Sequence, residues 1–179
     1  RLMSIGTASN RIRVTGTAIW QHLKPRVPHE GKNVVFSPEH WDKDVPENFI
    51  VADKLRELKG VNVITKILTG HQDPAMYDNP VVSDRNKPDH LDIVMDTLSK
   101  ADLVVAISES TFELIAQALD IPVVIADIWI PKGCDGDMRY KDYFREYSNA
   151  CTKVSLKDLN KEIMKQLKHP EILREERKK

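Results

Sequence analysis

Three short stretches of the sequence gather residue types suited to a charged ligand. Ser108-Glu109-Ser110-Thr111 places three hydroxyls in four residues, between an apolar run and a helical pattern. The start of a helix offers unpaired N–H groups and the positive end of its dipole, and both favour a phosphate. Ser108, Ser110 and Thr111 would add O–H donors to that cradle. The same letters spell a capping box, Ser110-x-x-Glu113, which satisfies the N–H groups internally. The two readings are compatible if Ser110 turns to the ligand when it binds. A second stretch is Thr69-Gly70-His71-Gln72. Gly70 permits close backbone approach. His71 can donate to a phosphate or act as an acid or base near neutral pH, and the bland alternative is a solvated loop histidine. The third is Ser37-Pro38-Glu39-His40-Trp41-Asp42. Ser37 and His40, with Glu39 and Trp41, suit contact with a base or another part of a ligand; the alternative is a surface loop whose Trp41 lies on the sheet edge.

Each stretch follows a strand pattern, and this is what would bring them together. Asn33 to Ser37, Val61 to Leu68, Leu103 to Ile107 and Val123 to Ala126 are short, β-branched and bounded by turn residues, as in buried parallel strands. Helical spacing recurs between them. Phe49, Ile50, Ala52, Leu55 and Leu58 form one stripe, with Gly60 as its stop. Leu91, Val94, Met95 and Leu98 form a second, and Phe112 to Leu119 is apolar on most sides. A long loop is expected over 69–88, a helix near 140–147, a last short strand at Lys153-Val154 and a final helix from Ser155. Before the alternation, 13–17 reads as an extended piece and 18–23 as a helix start. Alternating strands and helices imply an α/β fold, a Rossmann-like parallel sheet with helices on both faces. Ligands of such sheets bind beyond the carboxyl ends of the strands, where Ser37, His71 and Ser110 would then meet. The expected divisions are a leading segment and linker over 1–32, the α/β domain over 33–155, and a C-terminal helix with charged tail over 156–179.

Composition removes several classes. Lys and Arg together number 27, as do Asp and Glu, so no net field draws nucleic acid or anionic lipid. Cys134 and Cys151 make neither a metal-ligand pattern nor a disulfide framework, and a reducing cytoplasm is the simplest setting. No apolar run is long enough to span a bilayer. The chain opens on Arg1 in a polar stretch without a pattern of its own, and it reads as part of a longer protein.

The order of several motifs carries a resemblance. The run from Ala101-Asp102-Leu103 through Ser108-Glu109-Ser110-Thr111, followed by Asp120-Ile121-Pro122-Val123, resembles the donor-binding segment of GT-B enzymes. It is most similar to the CDP-glycerol glycerophosphotransferases of teichoic-acid synthesis and the UDP-N-acetylglucosamine 2-epimerases. Val14-Thr15-Gly16, Val35-Phe36-Ser37-Pro38, Ile67-Leu68-Thr69-Gly70-His71 and His169-Pro170-Glu171-Ile172-Leu173-Arg174 resemble further segments of that fold in the same order. The chain departs from the pattern in three places. Ile115 stands where a ribose-binding acid is expected, and Glu113 lies about 200° away around a helix. The glycerophosphotransferases have an Asp at the place of Ser108. The epimerases have two glycines at the places of Ser110 and Thr111.

The resemblance implies one half of a GT-B fold, with the N-terminal domain absent. It implies a glycosyltransferase or glycerophosphotransferase of cell-surface polysaccharide biosynthesis. Its donor would be a UDP-sugar or CDP-alcohol, with no tightly bound cofactor and no metal. Ser108, Ser110 and Thr111 would hold the diphosphate, His71 would be a phosphate ligand or general acid, and Ser37, His40, Gly70 and Glu113 would belong to the surrounding loops. The expected location is the cytoplasm, at the membrane's inner face if the whole protein associates peripherally. Alone, the chain is expected to bind weakly and catalyse nothing. A nucleotide-sugar 2-epimerase, a non-catalytic degenerate GT-B domain and an unrelated flavodoxin-like module are the rival readings.

Overall fold

In the computed structural model, the residues described are 24–39, 45–108, 110–128 and 148–178. Six strands form one parallel sheet: β1 (Asn33–Ser37), β2 (Asn62–Leu68), β3 (Pro80–Ser83), β4 (Leu103–Ala106), β5 (Val123–Ala126) and β6 (Cys151–Val154). Their order is β3-β2-β1-β4-β5-β6, and every neighbouring pair is parallel. The helices are α1 (Glu47–Arg56), α2 (His90–Ser99), α3 (Thr111–Ala118), α4 (Leu159–Lys168) and the short α5 (Arg174–Arg177).

The period of two in a strand sends alternate side chains to opposite faces, and both faces here are apolar. Val34, Phe36, Leu103, Val105 and Val124 meet Val51, Leu55, Leu159 and Ile163 of α1 and α4. Val35, Val104, Ala106, Val123 and Ile125 meet Met95 and Leu98 of α2 and Phe112, Ile115 and Ala116 of α3. β1, β4 and β5 are therefore uninterrupted apolar runs, and every residue of β4 and β5 is buried.

The expected strands and central helices stand within a residue or two of where the pattern puts them. The loop expected over 69–88 is different, because it contains β3. That strand has four residues and opens on Pro80, whose missing N–H suits the first residue of an edge strand. So short a run carries little periodic signal. β6 begins at Cys151 rather than Lys153. The final helix starts at Leu159 because Ser155 Oγ donates to Asp158 Oδ2 at 2.8 Å in a turn before it. The features expected over 13–17, 18–23 and 140–147 lie outside the described residues.

Two polar clamps tie segments distant in sequence onto this frame. Asp102, at the entrance to β4, accepts from Arg26 (2.7 Å), His29 Nε2 (2.9 Å) and the Asn33 N–H (2.9 Å). Arg177 of α5, with only 1% of its side chain exposed, pairs with Asp120 before β5 at 2.9 Å and donates to the Pro170 carbonyl at 2.7 Å. Among the described residues, no helix is long and apolar enough to cross a membrane.

Candidate functional site at the carboxyl edge

The chain lays down β1, β2 and β3 toward one edge, then returns to place β4 on the other side of β1. The connections leaving β1 and β4 therefore part company, which opens a crevice at their carboxyl ends. Ser37 ends β1 and pairs with Ala106, the last residue of β4. The loops after β1, β2 and β4 thus share one edge on three adjacent strands, as the sequence reading requires of Ser37, His71 and Ser110.

Glu39 joins these loops. Its carboxylate accepts from Ser108 Oγ, across the crevice. Its backbone N–H donates to Asn48 Oδ1 at 2.7 Å, and its carbonyl accepts from Asn48 Nδ2 at 3.1 Å and Gln72 Nε2 at 2.9 Å. Gln72 in turn accepts from the Leu68 N–H at 2.8 Å. Asn48 and Gln72 are buried, so this polar chain is shielded from water and fixes how the loops sit.

The hydroxyl turn has a graded arrangement. Ser110 is extended (φ −133°, ψ −177°) and caps α3, accepting from the Phe112 N–H at 3.2 Å. Glu113 Oε2 accepts from the Ser110 N–H at 2.7 Å, completing the capping box. Burial pushes the Glu113 carboxyl above its ordinary range, and the hydrogen bonds from Ser110 and the Lys66 charge oppose that rise. Ser108 is engaged by Glu39. Thr111, exposed at the first position of α3, makes no side-chain hydrogen bond among the described residues. Of the three hydroxyls, Ser108 has its proton committed to Glu39, Ser110 accepts as the cap, and Thr111 makes neither kind of bond among the described residues.

His71 is half-buried in the turn after β2, where its N–H donates to the Leu68 carbonyl at 3.0 Å. Gly70 is exposed with φ +80°. A Cβ there would meet no protein atom within 4 Å, so within the protein the position calls for glycine because of its dihedral. Glu113 points into the protein as a buried cap, 1% exposed, rather than out to the loops. His40, with Trp41, lies outside the described residues.

Sequence reasoning named Glu39 as a ligand contact but not its bridge to Ser108, and it passed over Lys66 and the buried Asn48. The Glu39–Ser108 bridge is legible only once β1 and β4 are known to be neighbours. Lys66 did leave a signal: a cation inside the apolar run of β2.

No protein-family model and no curated protein matches the sequence. Solved structures do match in shape. The calicheamicin glycosyltransferase CalG4 superposes with a TM-score of 0.52 at 15% identity, over 87% of this chain and 39% of that one. The spinosyn rhamnosyltransferase SpnG, in complex with spinosyn aglycone, gives 0.51 at 15% identity over 85% and 43%. The wall teichoic acid polymerase TagF, soaked with CDPG, gives 0.50 at 18% over 89% and 38%. The fold is thus a Rossmann-like α/β sheet that matches one domain of these GT-B glycosyltransferases. The chain spans about 40% of the length of these neighbours.

Proposed function

We infer that this chain is the donor-binding half of a glycosyltransferase or glycerophosphotransferase, with the nucleoside-diphosphate part of its donor seated in the crevice between β1 and β4. The observation that carries this reading is the α3 turn. A free hydroxyl, Thr111, stands at the head of a helix, on the sheet edge where such folds take ligands. Fixed donors there would stabilise charge on a leaving nucleotide without a metal. His71, on the adjacent loop, would donate to phosphate or supply a proton to the leaving group. Two of the matching structures support the choice of ligand, SpnG in complex with thymidine diphosphate and TagF soaked with CDPG. On this reading the donor is a UDP-sugar or CDP-alcohol. The acceptor site and any catalytic base belong to a second domain, and the whole protein works in polysaccharide synthesis on the cytoplasmic side of a membrane.

The second reading is a GT-B half that no longer turns over a donor. Ser108, whose proton is committed to Glu39, and Ser110, held in place as the helix cap, favour it. Calorimetric titration with UDP, CDP, uridine and cytidine separates the two. The transferase reading expects diphosphates to bind more tightly than the nucleosides. Equal affinity for UDP and uridine would remove the phosphate role, and no binding at all would leave the second reading.

A further inference from the structure

Lys66 lies near the carboxyl end of β2, opposite Val81 of β3. It shares a face with Ile64, the face covered by α2 and α3. Its ammonium reaches across β1 to lie 5.3 Å from the centroid of the Phe112 ring, in the first turn of α3. A cation beside the positive end of a helix has the wrong sign for the dipole. Lys66 has no hydrogen bond or ion pair among the described residues, although it is half-buried. One further cation and a histidine act on it. Arg85 comes from the loop after β3 and is also unpaired among the described residues, and His90 comes from the start of α2. Burial lowers the pKa of Lys66, the Glu113 charge opposes that fall most, Arg85 adds to it, and Glu39 opposes it more weakly. Burial and then Lys66 and Arg85 lower His90. Glu39 serves Ser108 and one Glu113 oxygen serves the Ser110 N–H, while the other Glu113 oxygen is buried without a hydrogen bond, so Glu113 is the one internal candidate among them for a counter-charge.

Among the described residues, Lys66 thus stands against the first turn of α3, with Arg85 acting on it and no anion within ion-pair distance. Within the protein alone this arrangement is unfavourable, and a bound anion would reverse its sign. We propose that Lys66 is the phosphate-contacting cation of the donor site, with Arg85 adding charge from the β3–α2 loop. The inference rests on the nucleoside-diphosphate reading and deepens it: the α3 turn supplies neutral donors, and Lys66 supplies the charge that selects a diphosphate. The competing role is internal, with Lys66 acting as the counter-charge of buried Glu113. The two roles predict opposite effects on stability. A residue kept for a ligand costs the free protein stability, whereas a counter-charge supports it.

The test titrates the intact protein and the variants Lys66→Met, Lys66→Arg, Arg85→Ala and Thr111→Val with inorganic pyrophosphate, CDP, UDP and the nucleosides. Melting temperatures are recorded without ligand. Lys66→Met is expected to weaken pyrophosphate and both diphosphates about tenfold or more, to leave nucleoside affinity unchanged and to raise the melting temperature. Lys66→Arg is expected to retain most of the affinity. The exposed Arg85→Ala, which leaves the core intact, is expected to weaken pyrophosphate by a few-fold and to flatten the salt dependence. Unchanged pyrophosphate affinity in Lys66→Met, with weakened binding in Thr111→Val, would overturn the role of Lys66 and leave the nucleotide site standing. A lower melting temperature with unchanged affinity would make Lys66 a counter-charge. If Lys66→Met does not fold, wild-type affinity in Arg85→Ala together with lost affinity in Lys66→Arg overturns the charge role. Pyrophosphate bound through Lys66, with no gain from a nucleoside, would refute the nucleotide reading alone.

Discussion

A hydroxyl whose proton already serves a carboxylate has less to offer a phosphate than one whose proton is uncommitted, and the turn before α3 contains both kinds, Ser108 and Thr111. Ser110 is the cap, so Ser110→Ala should cost about 1 kcal/mol of stability, read from urea denaturation. Thr111 is not in the box. Thr111→Val, nearly isosteric but without the donor, should leave stability almost unchanged and weaken UDP or CDP several-fold, as expected for the loss of about 0.5–1.5 kcal/mol. Equal nucleotide affinity in both variants and the wild type would place the phosphate elsewhere. Glu113 makes a separate prediction. Its folded pKa lies above the ordinary 4.5 because burial penalises the carboxylate. The folded state therefore holds the proton more tightly than the unfolded chain, and stability falls as pH rises from 4.5 through the raised value. In Glu113→Gln, which still serves the box, that decline should vanish when urea midpoints are compared from pH 4 to 8. Parallel curves for the two proteins would contradict it. The cap was legible in the sequence because Ser110 and Glu113 are three residues apart. The occupation of Ser108 by Glu39 was not, because local spacing holds no information about a partner 69 residues away.

Among the elements, the strands that announce themselves are those buried on both faces. β1, β4 and β5 are continuous apolar runs, whereas β3, short, half-exposed and at the edge, reads as loop. The amino edge of β4 carries a testable clamp. Both ring nitrogens of His29 face acceptors, Asp102 Oδ2 and the Val27 carbonyl, each at 2.9 Å. The hydrogen bond to Asp102 is the main reason its pKa stands above 6.5. A raised histidine pKa stabilises the fold in full below 6.5, and that contribution is lost as pH rises through the folded value. Asp102→Asn should therefore cost about 1–2 kcal/mol at pH 6, with the gap to wild type narrowing at alkaline pH. A gap independent of pH would mean that Arg26 and the Asn33 N–H, not His29, carry the clamp. Asp102 and Asp120 also explain why the motif order was informative. One fastens β4 to the segment before β1, and the other fastens the turn before β5 to α5.

For the whole molecule, strand order decides more than any single contact. The alternation of strands and helices was enough to anticipate a parallel sheet with ligand loops along one edge, but not the 3-2-1-4-5-6 order itself, because pairing between β1 and β4 leaves no trace in neighbouring letters. That order also has a kinetic consequence. The β1–β2 contact between Asn33 and Asn62 closes 29 residues, whereas the bridge between Glu39 and Ser108 closes 69. The longer closure costs about 0.8 kcal/mol more in chain entropy, before any burial on β4 offsets it. The half-sheet β1-β2-β3 can therefore assemble ahead of the β1–β4 pairing, and the proposed ligand edge is complete only once β4 has docked. A nucleotide that touches both walls recognises the finished sheet and nothing earlier on the folding path, so it would slow unfolding without speeding folding.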